Sequence, residues 1–208
     1  RYGLENIEEL RKNRNLWTSK KSTKIAEEFL FANNRTDIIE KIQNALNRPL
    51  KYILMDKDEY ILDESLKLKE LVDSNHPLVK ISREIENTIK SFEGKEYFHL
   101  GVALKFLSEP PYGLYSNMAN SAVLALAMRP FVGKLYEIGT GKCLEKEIMR
   151  DKIIGLFGYW QENKDRGLEV RLGALEEKEL VELLGDIFNT QENNINGIRW
   201  RISNWINA

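Results

Sequence analysis

The sequence predicts a mainly helical protein with small β-hairpins, an α+β chain with a winged-helix-like centre. Three observations predict it. Apolar residues recur at helical spacing along most of the chain, most clearly at Leu78, Ile81, Ile85, Ile89 and Phe92. Paired apolar runs flank short turns at 51–64 and at 134–148, the pattern of hairpins. The order helix, tight turn, helix, hairpin over 97–148 is the layout of a winged helix. The reading divides the chain into a helical region with a short hairpin at 1–94, a winged-helix-like region at 95–150, and a C-terminal helical region packed on it at 151–208.

The elements follow in order. Leu4, Ile7 and Leu10 share a helical face, as do Ile25 and Phe29, and then Ile38, Ile42 and Leu46. Thr36 is the expected N-cap of the third helix, with Asp37 in its first turn. In "KYILMDKDEYILDE", two Tyr-Ile-Leu runs flank the turn Asp56-Lys57-Asp58-Glu59 and predict a hairpin. A calcium loop needs glycine at its sixth position. Counted from Asp56 that position is Ile61, so calcium is set aside. Asp56, Asp58, Asp63 and Glu64 read as a solvated acidic turn, with a divalent-ion site as the alternative. His76-Pro77 starts the clearest helix, and Gly94 stops it. "YFHLGVALKFL" is apolar on most sides and predicts a buried helix. Pro110-Pro111 ends it. Asn117 or Asn120 caps the next helix, which runs through Leu124 and Met128 to about Arg129 and is closed by Pro130 and Gly133. A hairpin over 134–148, a helix in "DKIIGLFGYWQEN" and a short strand in "LEVRLGAL" follow. Leu180, Leu184 and Ile187 mark one further helix. Ile195, Ile198, Ile202 and Trp205 mark the last.

The turn "GTGKC" at 139–143 resembles the end of a phosphate-binding loop. Such a loop needs a glycine, four residues, then Gly-Lys-Ser/Thr opening a helix. Here Tyr136 stands where the first glycine belongs, and Cys143 replaces the hydroxyl. "CLEKEI" then alternates like a strand. The reading is a hairpin turn, with no nucleotide at Lys142.

Composition narrows the function classes. A formal net charge of −1 over 208 residues favours neither a nucleic acid nor a membrane as a partner of the whole chain. The one cysteine excludes an internal disulfide framework and a cysteine-rich zinc site, and fits a cytoplasmic location. No apolar run reaches the roughly 20 residues of a membrane span, and no signal peptide is visible. The chain opens without methionine close to a helix start, which suggests a piece of a longer polypeptide.

Local chemistry is sparse. Between the first two helices, 11–24 carries Arg11, Lys12, Arg14, Lys20, Lys21 and Lys24 with no acid, and Trp17 lies inside it. It is the candidate for phosphate contact with nucleic acid, against the simpler reading of a solvated loop. The helix a winged helix would place in a groove, "SNMANSAVLALAMRPF", offers Ser116, Asn117, Asn120, Ser121 and Arg129 on a largely apolar body, a poor groove reader. The two histidines suit a helix start (His76) and a hydrogen-bonded core position (His99). Catalysis through His99 would need Glu109, Tyr112 or Tyr115 beside it. Cys143 reads as a structural strand cysteine. Tyr112 and Tyr115 are candidates for a partner interface or for packing on the hairpin. Trp200 lies about 200° from Ile198 at helical spacing. With Arg199 and Arg201 it is the candidate partner contact on the last helix. No metal ligands, cofactor site or catalytic residues are assigned.

The run "PPYGLYSNMANSAVLALAMRPFVGKLYEIGTGKCLEKEI" resembles a segment of large bacterial P-loop ATPases of phage-exclusion (BREX-type) systems and their uncharacterised relatives. The matching residues are Pro111, Tyr112, Gly113, Ala122, Leu124, Ala125, Leu126 and Gly133. Where relatives carry Trp after Pro-Tyr-Gly, this chain has Leu114. The resemblance covers about a fifth of the chain and implies an accessory module whose ATPase motifs lie elsewhere on a longer polypeptide. Its partners would be the other domains of that protein, and DNA non-specifically. The expectation is therefore a non-catalytic module of a larger bacterial ATPase in phage defence or DNA transactions. The alternatives are a DNA-binding protein using residues 11–24 and a hydrolase-type enzyme using His99.

Overall fold

A computed structural model describes residues 7–44, 47–56, 58–69, 75–164, 168–173, 175–189 and 195–206. Leu4, Leu46 and Lys57 of the expectations above lie outside the described residues. The chain is mainly helical with small antiparallel sheets. Its helices are α1 (Glu8–Arg11), α2 (Ser22–Phe31), α3 (Arg35–Lys41), α4 (Pro77–Lys90), α5 (Leu100–Ala103), α6 (Met118–Met128), α7 (Lys146–Gln161), α8 (Leu175–Ile187) and α9 (Ile195–Ile206). One sheet pairs β1 (Met55–Asp56) with β2 (Glu59–Tyr60). The other has the order β3 (Phe98–His99), β5 (Glu169–Leu172), β4 (Leu135–Glu137), all antiparallel.

Helix α6 is the axle of the fold. All eleven of its residues are buried. Its sequence, MANSAVLALAM, explains this: alanines on several sides let neighbouring helices approach, and Met, Val and Leu fill the space between. Helices α2, α4 and α7 pack around it. The core is continuous from Leu10 to Val170, drawing on both sides of residue 94. Asn117 is the N-cap of α6, accepting from the Asn120 N–H at 2.8 Å. The side-chain amides of Asn117 and Asn120 both donate to the Tyr115 carbonyl at 3.0 Å. Arg129, at the other end, donates to the Phe29 and Leu30 carbonyls at 3.0 and 2.7 Å. It thereby satisfies carbonyls at the C-terminus of α2 with a positive charge.

The long helix α4 forms as its pattern predicts. His76 caps it through Nδ1, Pro77 occupies the first turn, and Leu78, Ile81, Ile85 and Ile89 are buried. Phe92 beyond its end is half-buried and stacks on Phe98 at 4.4 Å. The β1–β2 hairpin is present but only two residues long on each side, because the first Tyr-Ile-Leu run lies in a 3₁₀ segment, Arg48–Leu54.

Several expectations are corrected. The N-cap of α3 is Asn34, not Thr36: Asn34 accepts from the Asp37 N–H at 2.8 Å. The N–H and hydroxyl of Thr36 both go to Glu64. The apolar run 97–107 is not one helix. Phe98 and His99 pair with β5, α5 is a single turn, and a 3₁₀ segment, Lys105–Ser108, follows. An apolar run of that length is ambiguous between a buried strand and a buried helix, and the pairing partner that decides it lies about seventy residues away. The hairpin after α6 is also shorter than 134–148. Glu137 and Lys142 bond across the turn at 2.8 Å, Leu144 donates to Leu135 at 2.7 Å, and α7 begins at Lys146. Leu144 and Ile148 are four apart, so the same residues that alternate as a strand also open a helical face.

Candidate interaction surface

The GTGKC turn is a structural corner. Gly139 and Gly141 have φ of +90° and +66°, which glycine adopts without strain. Glu137 accepts from Thr140 Oγ1 at 2.7 Å and from the ammonium of Lys152 on α7. Those bonds hold the Glu137 carboxyl below the ordinary glutamate range, the Lys152 bond being the largest cause. The turn is thus fastened to α7. Cys143 is buried and bridges to Tyr136.

His99 lies opposite Glu169 in the β3–β5 register, with Nδ1 3.7 Å from its carboxylate and the Tyr97 ring edge-on at 5.7 Å. Tyr112 packs edge-on to Phe106 at 6.0 Å, and burial with the nearby Glu84 charge raises its hydroxyl pKa. Tyr115 is exposed, and its carbonyl is the acceptor that organises the start of α6. Pro-Tyr-Gly itself forms a tight turn in which the Tyr112 and Gly113 N–H groups donate to the Glu109 carbonyl. Near the acidic turn, Asp63 accepts from Lys67 N–H and from Ser65, while Glu64 accepts from Thr36 and pairs with Arg35. Both carboxyls are thereby held below their ordinary range. A cleft of about 210 Å³ opens between the Leu62–Leu68 segment, α4 and α6. Its walls are leucines with Ala127, Pro130 and Phe131, and its polar groups are Lys67, Ser82 and Glu86, the last paired with Lys90 at 2.6 Å.

The basic segment presents Arg11, Lys12, Arg14, Lys20, Lys21 and Lys24 to solvent. Lys12 pairs with Glu8 at 2.8 Å and Lys24 with Glu28 at 3.8 Å. Trp17 turns inward, packs on the core and donates to the Leu10 carbonyl at 3.3 Å. Phosphate contact is therefore open to this segment, whereas base stacking on Trp17 is not.

Family models, curated proteins and solved structures give no match to this chain.

Geometry alone then ranks the surfaces. On α9, Ile198 is buried while Trp200 is 64% exposed between the exposed Arg199 and Arg201. The helical arithmetic placed Trp200 correctly. It misplaced Trp205, expected on the packed face. Trp205 touches Phe188 edge-on at 6.1 Å but remains 73% exposed, with Ile206 beside it. Leu180, Leu183 and Ile187 of α8 are exposed too. Helices α8 and α9 pack chiefly on each other, with Val181 and Ile198 buried. That contact leaves Leu180, Leu183 and Ile187 uncovered. Leu180, Leu183, Leu184 and Ile187 span about 100° at 100° per residue, the width of one ordinary core-facing stripe, so the sequence alone did not mark this face as exposed.

Proposed function

We propose that this chain is a non-catalytic module that binds or couples the other domains of a larger bacterial ATPase, in phage defence or DNA transactions. The observation that carries the reading is the exposed Trp200 flanked by Arg199 and Arg201 on α9. Trp and Arg dominate the energetics of interfaces because one side chain supplies both area and polar contacts. The region expected to be winged-helix-like, 95–150, would serve as a hub through α6, which is enclosed by α2, α4 and α7. Tyr115 is a secondary contact at the rim of that hub. The reading frame that encodes residues 1–208 tests the proposal. A phosphate loop and a magnesium-binding acid on the same polypeptide are expected, and a frame lacking both overturns it.

A second reading is favoured by the exposure of all six cations of 11–24. It makes the chain a non-specific nucleic-acid binder. Binding of a random-sequence DNA duplex would then fall steeply with salt and weaken when Lys20, Lys21 and Lys24 become Ala. Salt-insensitive binding, or none, removes this reading.

A further inference from the structure

We infer that the cleft between the 62–68 hairpin, α4 and α6 is a binding site, and that its ligand is a small aliphatic carboxylate. The hairpin is built to hold one wall in place. The Asp63 N–H donates to the Lys67 carbonyl, and Leu62 bridges Leu68. Arg35 of α3 fastens it by donating to the Leu62 carbonyl at 2.7 Å and pairing with Glu64 at 2.9 Å. Within its turn Leu66 has φ of +63°. That left-handed conformation is uncommon for a large side chain and persists where the surroundings over-determine it, as at ligand clamps. Glycine or asparagine would suit the turn better. Leucine there places an apolar side chain in the wall of the cleft. Leu62 and Leu68 flank it, and Leu78, Leu126 and Phe131 line the cleft with them.

The polar groups select the head group. They are Lys67, Ser82 and Glu86. Glu86 is already paired with Lys90 at 2.6 Å. Lys67 is exposed and forms no ion pair among the described residues, and the half-buried Ser82 hydroxyl on α4 has no hydrogen-bond partner among them. The Asp63 carboxylate, which Lys67 attracts, is held by the Ser65 hydroxyl and the Lys67 N–H. The cleft therefore offers one uncommitted cation, one uncommitted hydroxyl donor and no uncommitted acid. Those groups suit a carboxylate, which only accepts hydrogen bonds and binds most strongly to charged donors. Volume sets the size of the tail. A dry cavity of about 150 Å³ holds benzene, so the cleft of about 210 Å³ has room for a chain of about six to eight carbons. Sites for drug-sized ligands start at about 300 Å³, so a nucleotide is too large. The site uses neither α9 nor residues 11–24, so it stands independently of the proposed function.

The test is a titration of the full 208-residue chain with sodium butanoate, hexanoate, octanoate and decanoate, followed by amide NMR shifts. Saturable shifts confined to the hairpin, α4 and the end of α6 are expected, with a Kd on the order of 1 mM for hexanoate. Affinity should rise about fourfold per added methylene up to octanoate and level off at decanoate, when the cleft is full. No saturable shift, shifts centred elsewhere, or a rise that continues through decanoate overturns the inference, the last because open apolar surface sets no limit on chain length. Lys67→Met removes the charge at an exposed position and should leave the Tm within about 1 °C of wild type. It should weaken hexanoate about tenfold and leave the uncharged 1-hexanol within about twofold. Equal losses for the two ligands, or none for hexanoate, overturn carboxylate recognition. Ser82→Trp fills the cleft and should abolish binding of both ligands. Binding that survives in a Ser82→Trp chain of unchanged circular dichroism overturns the cleft as the site.

Discussion

Among single residues, Glu28 is placed against its own charge. Its side chain is 16% exposed, and its Oε2 is buried with no hydrogen-bond partner among the described residues. Burial raises its pKa, and Lys24 and Lys41 offset this in part. The folded state therefore holds the proton to higher pH than the unfolded chain does. Between the unfolded glutamate pKa and the raised folded value, the native state binds more protons, and this group's contribution to stability falls as pH rises. Glu28→Gln should stabilise the protein at pH 7, because it removes the charge that burial disfavours, the loss of attraction to Lys24 and Lys41 offsetting part of the gain. The gain should disappear near pH 3, well below the glutamate pKa of both states. Thermal unfolding at the two pH values measures it. An equal gain at both would assign the effect to packing. Glu137 has the opposite sign. Its lowered pKa makes its tie to Lys152 a contribution that is full above the ordinary glutamate range and is lost as pH falls through the folded value.

At the scale of elements, the close approach of α5 to α7 rests on one glycine. A Cβ on Gly101 would lie 2.6 Å from the Tyr159 ring, and the Gly101 carbonyl accepts from Trp160 Nε1 at 3.0 Å. Gly101→Ala should cost about 1–3 kcal/mol by overpacking, read as a fall in the urea midpoint with an unchanged slope. An unchanged midpoint would mean that Tyr159 yields without strain. The same region shows what the sequence does and does not contain. The helix α4 and the cap of α6 were legible because their signals are local: His76-Pro77, a four-residue apolar repeat, Asn117. The strand β3 was not, because its identity depends on β5, remote in sequence. The hairpin after α6 was legible at its glycines and not at its end, since Leu144 and Ile148 satisfy the strand and helix periods together.

For the whole molecule, the architecture separates a large core from two C-terminal helices. Residues 10–170 contribute to a core organised around α6, whereas α8 and α9 lean on each other and keep their large side chains exposed. The candidate site was half legible. Trp200 with its two arginines followed from helical arithmetic, because that points a side chain away from a known apolar face. The apolar surface ending at Trp205 and Ile206 did not, because a helical period fixes direction but not whether a neighbour exists to fill it. The basic segment was legible in composition, but the inward turn of Trp17 was not. The most direct measurement of the proposed coupling role is ATP turnover of the complete polypeptide proposed to contain residues 1–208, compared between wild type and Trp200→Ala. The account predicts turnover lowered several-fold, with the Tm within about 1 °C of wild type because the substituted side chain lies on an exposed helical face. A polypeptide without ATPase activity, or turnover indifferent to Trp200, would contradict it.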